Sequence, residues 1–275
     1  KGGKWVATAY KAAPIYYRHN DFAEATDLFT RIALDHPKHD LAEYATNLVL
    51  DAYNLLGDWK NLNGWAKRFY ANAELIAAHG GLKDVLAKLI EESSFKVIEI
   101  DEKAGDHEKA ADAYLAFARE WPASRLAPTA VYNASVDWVK AQRIDKAMEV
   151  REQFLQRFPT DVLAPKCIFD NAEGYETIAD FAKAADAYER YFSEWRRSKG
   201  GAPVAKAKGR KGKAAEAPPA PSGVYEEKKA NDAIINAAVF RAGLKDWARA
   251  EANSLAYLSA WPNGADASRL FLGLA

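Results

Sequence analysis

The sequence predicts an all-α chain built from stacked helix hairpins, and three observations carry that prediction. Six segments align on Phe22, Trp59, His107, Ile144, Phe181 and Trp247, with successive spacings of 37, 48, 37, 37 and 66 residues. The columns three, seven and ten residues after this anchor hold mostly apolar or small residues, the spacing of one helical face. Fifteen residues after the anchor, proline stands in four of the six segments, as Pro37, Pro122, Pro159 and Pro262. Self-similarity at a fixed period marks a repeat array, in which each unit buries its remaining apolar face only against its neighbours.

The second helix of each repeat starts near the anchor. Its buried face reads Ala25, Leu62, Ala110, Ala147, Ala184 and Ala250 in the first column, then Phe29, Ala66, Tyr114, Arg151, Tyr188 and Ser254. The third column is Ile32, Phe69, Phe117, Phe154, Tyr191 and Tyr257. The first helix precedes the anchor, with aromatic residues six before it at Tyr16, Tyr53, Trp138 and Tyr175, and Asp101 and Arg241 in the other two repeats. Small residues nine before it, among them Ala13, Ser135, Ala172 and Ala238, let the paired helices approach closely. Between repeats, FAREWPASRLAP and, 37 residues on, FLQRFPTDVLAP mark a joint. Pro122 ends one helix because it offers no N–H to continue it, and Pro128 suits the opening turn of the next. Trp121 is expected to pack the seam.

The order of aromatic, alanine, aromatic and proline in GYETIADFAKAADAY and YLAFAREWP resembles the tetratricopeptide repeat. The resemblance covers six repeats, about Lys4–His36, Leu41–His79, Leu82–Trp121, Leu126–Phe158, Leu163–Arg197 and Val224–Trp261, with a seventh beginning at Ala265. It implies a right-handed superhelical solenoid of helix-turn-helix repeats. The expected organisation is repeats 1 to 5 over residues 1–199, a basic linker over 200–223, and repeat 6 with the start of the seventh over 224–275. The chain opens KGGKWVATAY without Met and stops at SRLFLGLA inside a predicted helix, so both ends read as cut from something longer.

Two repeats depart from the pattern. Glu74 and Arg196 replace the closing proline, and these are the repeats followed by long spacings. The 11 extra residues around ANAELIAAHGG predict a lengthened helix ending at Gly80 and Gly81. The second insertion, GGAPVAKAKGRKGKAAEAPPAPSG, has no aromatic residue and too little apolar surface to offset its ordering entropy, so a mobile loop is expected.

Charge is unevenly placed. The chain carries 38 basic and 38 acidic side chains, yet Arg196 to Lys213 holds eight Lys or Arg and no acid. Lys206, Lys208, Arg210, Lys211 and Lys213 therefore read as a solvated spacer, a contact for an anionic surface, or an autoinhibitory segment that folds over an acidic groove. Nucleic acid is disfavoured because no aromatic residue interleaves these cations. No apolar run approaches the roughly 18 residues of a membrane span.

The residues offer no catalytic constellation, and they call for no cofactor or metal. His36 and His39 straddle Pro37 without a nearby Cys or an HExxH pattern, and read as exposed turn residues. The single cysteine, Cys167, reads as a small buried hydrophobe. Trp59, Trp121, Trp138, Trp195, Trp247 and Trp261 read as packing residues.

The resemblance implies that first helices line a groove, chiefly near twelve, eight and five residues before the anchor. The first of these sets reads Tyr10, Asn47, Lys96, Tyr132, Phe169 and Ile235, and Tyr44 and Tyr17 extend it. Asp51, Glu99, Glu102, Glu173 and Glu176 make one side acidic. Aromatic anchors in an acidic surround suit an extended or helical peptide with basic character; the alternative is that the rings only fill gaps between helices. The pairing of Lys and Asn by which one subgroup clamps a terminal carboxylate has no counterpart at Lys96 and Glu99. The series in EWPASRLAPTAVYNA further resembles repeats of bacterial cell-envelope proteins, including outer-membrane assembly lipoproteins, Tol-Pal-associated factors and gliding-motility components. That likeness implies a non-enzymatic periplasmic scaffold for protein partners. A cytoplasmic co-chaperone adaptor, a non-catalytic part of a larger enzyme, and a lipid- or polymer-binding module stay open.

Overall fold

The computed structural model describes residues 2–200 and 223–272, and the described residues are helical with no strand. They form two compact units, Lys1–Asp106 and His107–Ala275. The linker cations Lys206, Lys208, Arg210, Lys211 and Lys213 lie outside the described residues.

In the first unit, α1 (Gly2–Arg18) packs on α2 (Phe22–Asp35), α2 on α3 (Ala42–Leu55), α3 on α4 (Trp59–Tyr70), and α4 on both α5 (Ala73–Ala78) and α6 (Leu82–Lys103). In the second, the order runs α7 (His107–Glu120), α8 (Ala127–Lys140), α9 (Ile144–Arg157), α10 (Ala164–Thr177), α11 (Phe181–Ser198), α12 (Glu227–Gly243), α13 (Trp247–Ala260) and α14 (Ala267–Leu272), each packing on the next. Each unit is thus a stack of antiparallel helix hairpins.

All eighteen residues of the three buried columns, from Ala25 to Tyr257, are buried. Each large ring among them, such as Phe29, Phe154 or Tyr257, contributes about 2–3 kcal/mol by leaving water. Ala13, Ser135, Ala172 and Ala238 are buried as well, where paired helices meet. The one charged member of these columns, Arg151, donates from Nε to Ser135 Oγ (3.2 Å) and from Nη1 to the Asp170 carbonyl (3.1 Å). Its long stem fills an aromatic's place while its head finds acceptors, as a buried guanidinium must.

The turn that leads into each second helix has one construction. The residue two before the anchor takes a left-handed conformation in all six repeats: Asn20, Gly57, Gly105, Gln142, Ala179 and Lys245, with φ between 60° and 95°. Glycine adopts this φ without cost; Ala179 does not. The next residue is aspartate in five repeats, and Asp58, Asp180 and Asp246 accept hydrogen bonds from the amides of Asn61, Lys183 and Arg249, capping the second helix.

The joint between repeats is equally regular. Phe117 and Trp121 rings lie 4.9 Å apart at the seam, and Pro128 sits in the first turn of α8. Ser124 Oγ accepts from the Leu126 amide (2.9 Å) and Asp161 Oδ1 from the Leu163 amide (2.9 Å). In the corresponding place His39 Nδ1 accepts from the Leu41 amide (3.2 Å), and His36 packs its ring 5.6 Å from Trp5. Both histidines are half-buried joint residues rather than exposed turn residues.

Four further expectations need correction. The insertion around ANAELIAAHGG is not one lengthened helix: α4 stops at Tyr70, Asn72 Oδ1 accepts from the Leu75 amide to start the separate α5, and α6 carries the extra turns over its 22 residues. Trp247 is 65% exposed, because the anchor position opens the second helix at the rim of the hairpin. The eight cations of the basic run do not share one segment. Arg196 and Arg197 belong to the last turn of α11 and Lys199 is its C-cap, where cations complement the helix dipole.

The fourth concerns the groove set, since the residue twelve before His107 is Phe95, which is buried, and Lys96 is its exposed neighbour.

The long insertion leaves hairpin order undisturbed. Tyr225 is buried with its ring 5.2 Å from Tyr191, whose hydroxyl accepts from the Glu226 amide (3.1 Å). Gly223 lies against the Pro165 ring, where a Cβ would clash. Across the hairpins, Arg241 donates to Glu189 Oε1 and Oε2 (2.9 and 3.2 Å) and to Asp186, while Arg249 bonds the same two carboxylates.

Candidate functional site

The predicted groove residues fall in both units, and each unit is described separately. In the first, Tyr10 and Tyr44 meet edge to face at 5.8 Å, joining α1 to α3. Tyr17 donates to Asp51 and packs edge-on against Phe22 at 5.3 Å. Burial first, and the Asp51 bond second, push the Tyr17 hydroxyl pKa upward. Tyr17 and Asp51 are thereby committed to each other, whereas Asn47 and half of Tyr44 remain exposed. Lys96 and Glu99 form an ion pair one turn apart on α6 (2.7 Å). An exposed pair of this kind adds little stability.

In the second unit, Tyr132 on α8 reaches Asp170 on α10 (3.3 Å), and the Lys166 ammonium lies 5.5 Å from the Tyr132 ring. Phe169, one residue before Asp170, points to the other side. Its ring stands edge-on to Tyr188 (5.5 Å) and Tyr191 (5.2 Å), and it forms the floor of a recess of about 960 Å³.

The recess lies between α10 and α12 and is lined by Phe169, Tyr188 and Ile235 below and by Glu173, Glu176, Asp232 and Asp266 at the rim. Glu176 accepts from the Tyr188 hydroxyl (2.9 Å), and Asp266 pairs with Arg269 (3.1 Å). Glu173 and Asp232 make no ion pair among the described residues. The Glu173 carboxyl is pushed above the ordinary carboxylate range, chiefly by burial and then by the Asp170 charge. Lys229, in the first turn of α12, places its ammonium 5.5 Å from the Phe169 ring while bound to Glu226. A cation already occupies part of the aromatic face.

Of the predicted residues, the structure therefore brings Phe169, Ile235, Glu173 and Glu176 into one recess, which Tyr132 does not line. Asp232 and Asn236 were missed, although a signal existed. Asp232 occupies the column fifteen before the anchor, the column of Tyr44.

Cys167 is buried on α10, and burial pushes its thiol up to about 12, so it offers no nucleophile at neutral pH.

No family model matches the chain, and no curated protein sequence does. Among solved structures it is similar to BtubC from P. vanneervenii, at 13% identity over 99% of this chain and 91% of that one, with a TM-score of 0.42. It is also similar to pilF of Pseudomonas aeruginosa (10% identity, 99% and 100% coverage, TM-score 0.35). A third is the C-terminal part of a TPR repeat-containing protein from Cytophaga hutchinsonii (15% identity, 95% and 98% coverage, TM-score 0.39). Similarity at this level carries no argument about function.

Proposed function

We propose that this chain is a non-enzymatic scaffold of tetratricopeptide-type repeats that holds an extended, lysine- or arginine-bearing segment of a partner protein in the recess between α10 and α12. The observation that carries this reading is the recess itself: four carboxylates stand around a floor of Phe169, Tyr188 and Ile235, and two of the four, Glu173 and Asp232, have neither an ion pair nor a side-chain hydrogen bond among the described residues. The floor takes the aliphatic stem of a basic side chain and the rim takes its charged head.

The test is a titration with extended peptides in which Lys or Arg alternates with apolar residues. Binding is expected to weaken with salt and to fall in Glu173→Gln/Asp232→Asn, while an acidic peptide of equal length does not bind. Equal binding of acidic and basic peptides would overturn the reading. The envelope setting rests on the likeness of EWPASRLAPTAVYNA to envelope repeats; fractionation of the native cell tests it, and a purely cytoplasmic pool contradicts it.

A further inference from the structure

Consecutive second helices in the second unit leave notches on the side away from the acidic recess, and two of these notches can be matched column by column. In the one between α11 and α13, over α12, Glu189 stands eight after its anchor, Arg241 six before the next, and Arg249 two after that. The notch is filled from within: Glu189 accepts from Arg241, Arg249 and Asn253. In the notch between α9 and α11, over α10, the same three columns read Glu152, Tyr175 and Lys183. Here the acid is retained and the arginine is not.

The result is an open notch of about 180 Å³ lined by Glu152, Leu155, Asn171, Tyr175, Lys183 and Arg190, among others. Asn171 is 1% exposed, in a column that holds Ala12, Val49, Val97, Ala134 and Ala237 in the other repeats. Its Nδ2 donates to Glu152 Oε1 (2.9 Å), and its Oδ1 has no hydrogen-bond partner among the described residues. A buried amide oxygen without a donor is costly, and among the described residues the Glu152 carboxylate accepts only from a neutral amide. Of the neighbouring charges, Lys183 pairs with Asp180 (3.0 Å) and holds its ammonium 5.5 Å from the Tyr175 ring, Asp186 pairs with Arg241 and Arg249, and Arg190 makes no ion pair among the described residues.

We infer that this notch receives the guanidinium of an arginine side chain from a partner protein docked across α9 and α11, repeating from outside the pairing that Arg241 makes with Glu189 one repeat along. A guanidinium supplies several coplanar N–H donors, enough for both the Glu152 carboxylate and Asn171 Oδ1, and a flat face to lie on Tyr175. An ammonium offers no fork and no flat face. A hydroxyl leaves the Glu152 charge unmatched.

The test follows the Asn171 side-chain amide by NMR in the ¹⁵N-labelled chain, titrated with ethylguanidinium chloride and, at matched ionic strength, ethylammonium chloride. Ethylguanidinium is expected to give a saturable shift, weakened about tenfold or more in Glu152→Gln, since a hydrogen bond to a charged group is lost. In Asn171→Ala, read through the Tyr175 ring signals, the affinity falls likewise. Glu152→Gln is isosteric and keeps the test decisive if Asn171→Ala does not fold. Absence of a saturable shift, an equal response to ethylammonium, or a response that emerges only in Arg190→Ala would overturn the inference. The last outcome would mean that the chain's own Arg190 fills the notch.

Discussion

Replacing Arg241 by methionine tests the joint that keeps hairpins in order across the long insertion. Arg241 is 3% exposed and holds Glu189 through two oxygens and Asp186 through a third bond, linking α12 to α11. Methionine keeps much of the volume, so the loss is electrostatic. Breaking a buried pair costs about 3–5 kcal/mol when the partner charge is left uncompensated. Arg249 and Asn253 still serve Glu189, which places the expected loss near the lower bound, about 3 kcal/mol. For a unit of this size that is a fall in melting temperature of roughly 6–12 °C. Urea unfolding followed by circular dichroism reads the loss. Because Arg241 is buried, the loss is expected to survive 1 M NaCl, where exposed pairs are screened. A loss under about 1 kcal/mol, or one that salt abolishes, would refute the reasoning.

Ala179→Gly relieves a left-handed alanine in the turn of the fifth hairpin and is expected to stabilise by about 1 kcal/mol, read by the same denaturation; destabilisation would contradict the turn assignment. Cys167, buried with its thiol pushed up to about 12, is expected to resist alkylation at neutral pH and to react once urea opens the second unit, so labelling tracks that unit's unfolding. Glu173 gives a pH signature. Its carboxyl is raised in the folded chain, so the folded state takes up this proton before the unfolded state does. The group's contribution to stability is therefore lost as pH rises through the raised value, while its charge, and hence the hold on a basic peptide, is lost as pH falls through it. Peptide affinity should drop at a higher pH in the wild type than an ordinary carboxylate would give, and Glu173→Gln should remove that feature.

Much of the fold was legible because the hairpin repeats. Columns three, seven and ten after the anchor named the buried face, and proline and the joint residues named the seams. What escaped was chemistry that breaks a column. Arg151 and Arg241 stand where aromatics are expected, and their long stems pack while their heads find acceptors on other helices, information that no single helix contains. Asn72 separates α5 from α4 by a cap that composition alone does not distinguish from a helical asparagine. Of the candidate site, Phe169, Ile235, Glu173 and Glu176 were readable from the sequence, but Asp232 stands fifteen before its anchor, outside the groove columns, and reaches the recess only through the packing of α12 on α11. Tyr17 and Asp51 satisfy each other, which only distance reveals.

A recess over Phe169 and Tyr188 that recognises basic, extended protein segments must lose its hold when its free carboxylates lose their charge. Calorimetric titration of a lysine-bearing peptide into the wild type and Glu173→Gln/Asp232→Asn tests it most directly. Saturable binding is expected, weakened about tenfold or more when the two carboxylates are neutralised. Binding of equal strength in both proteins, with both still folded, would contradict it.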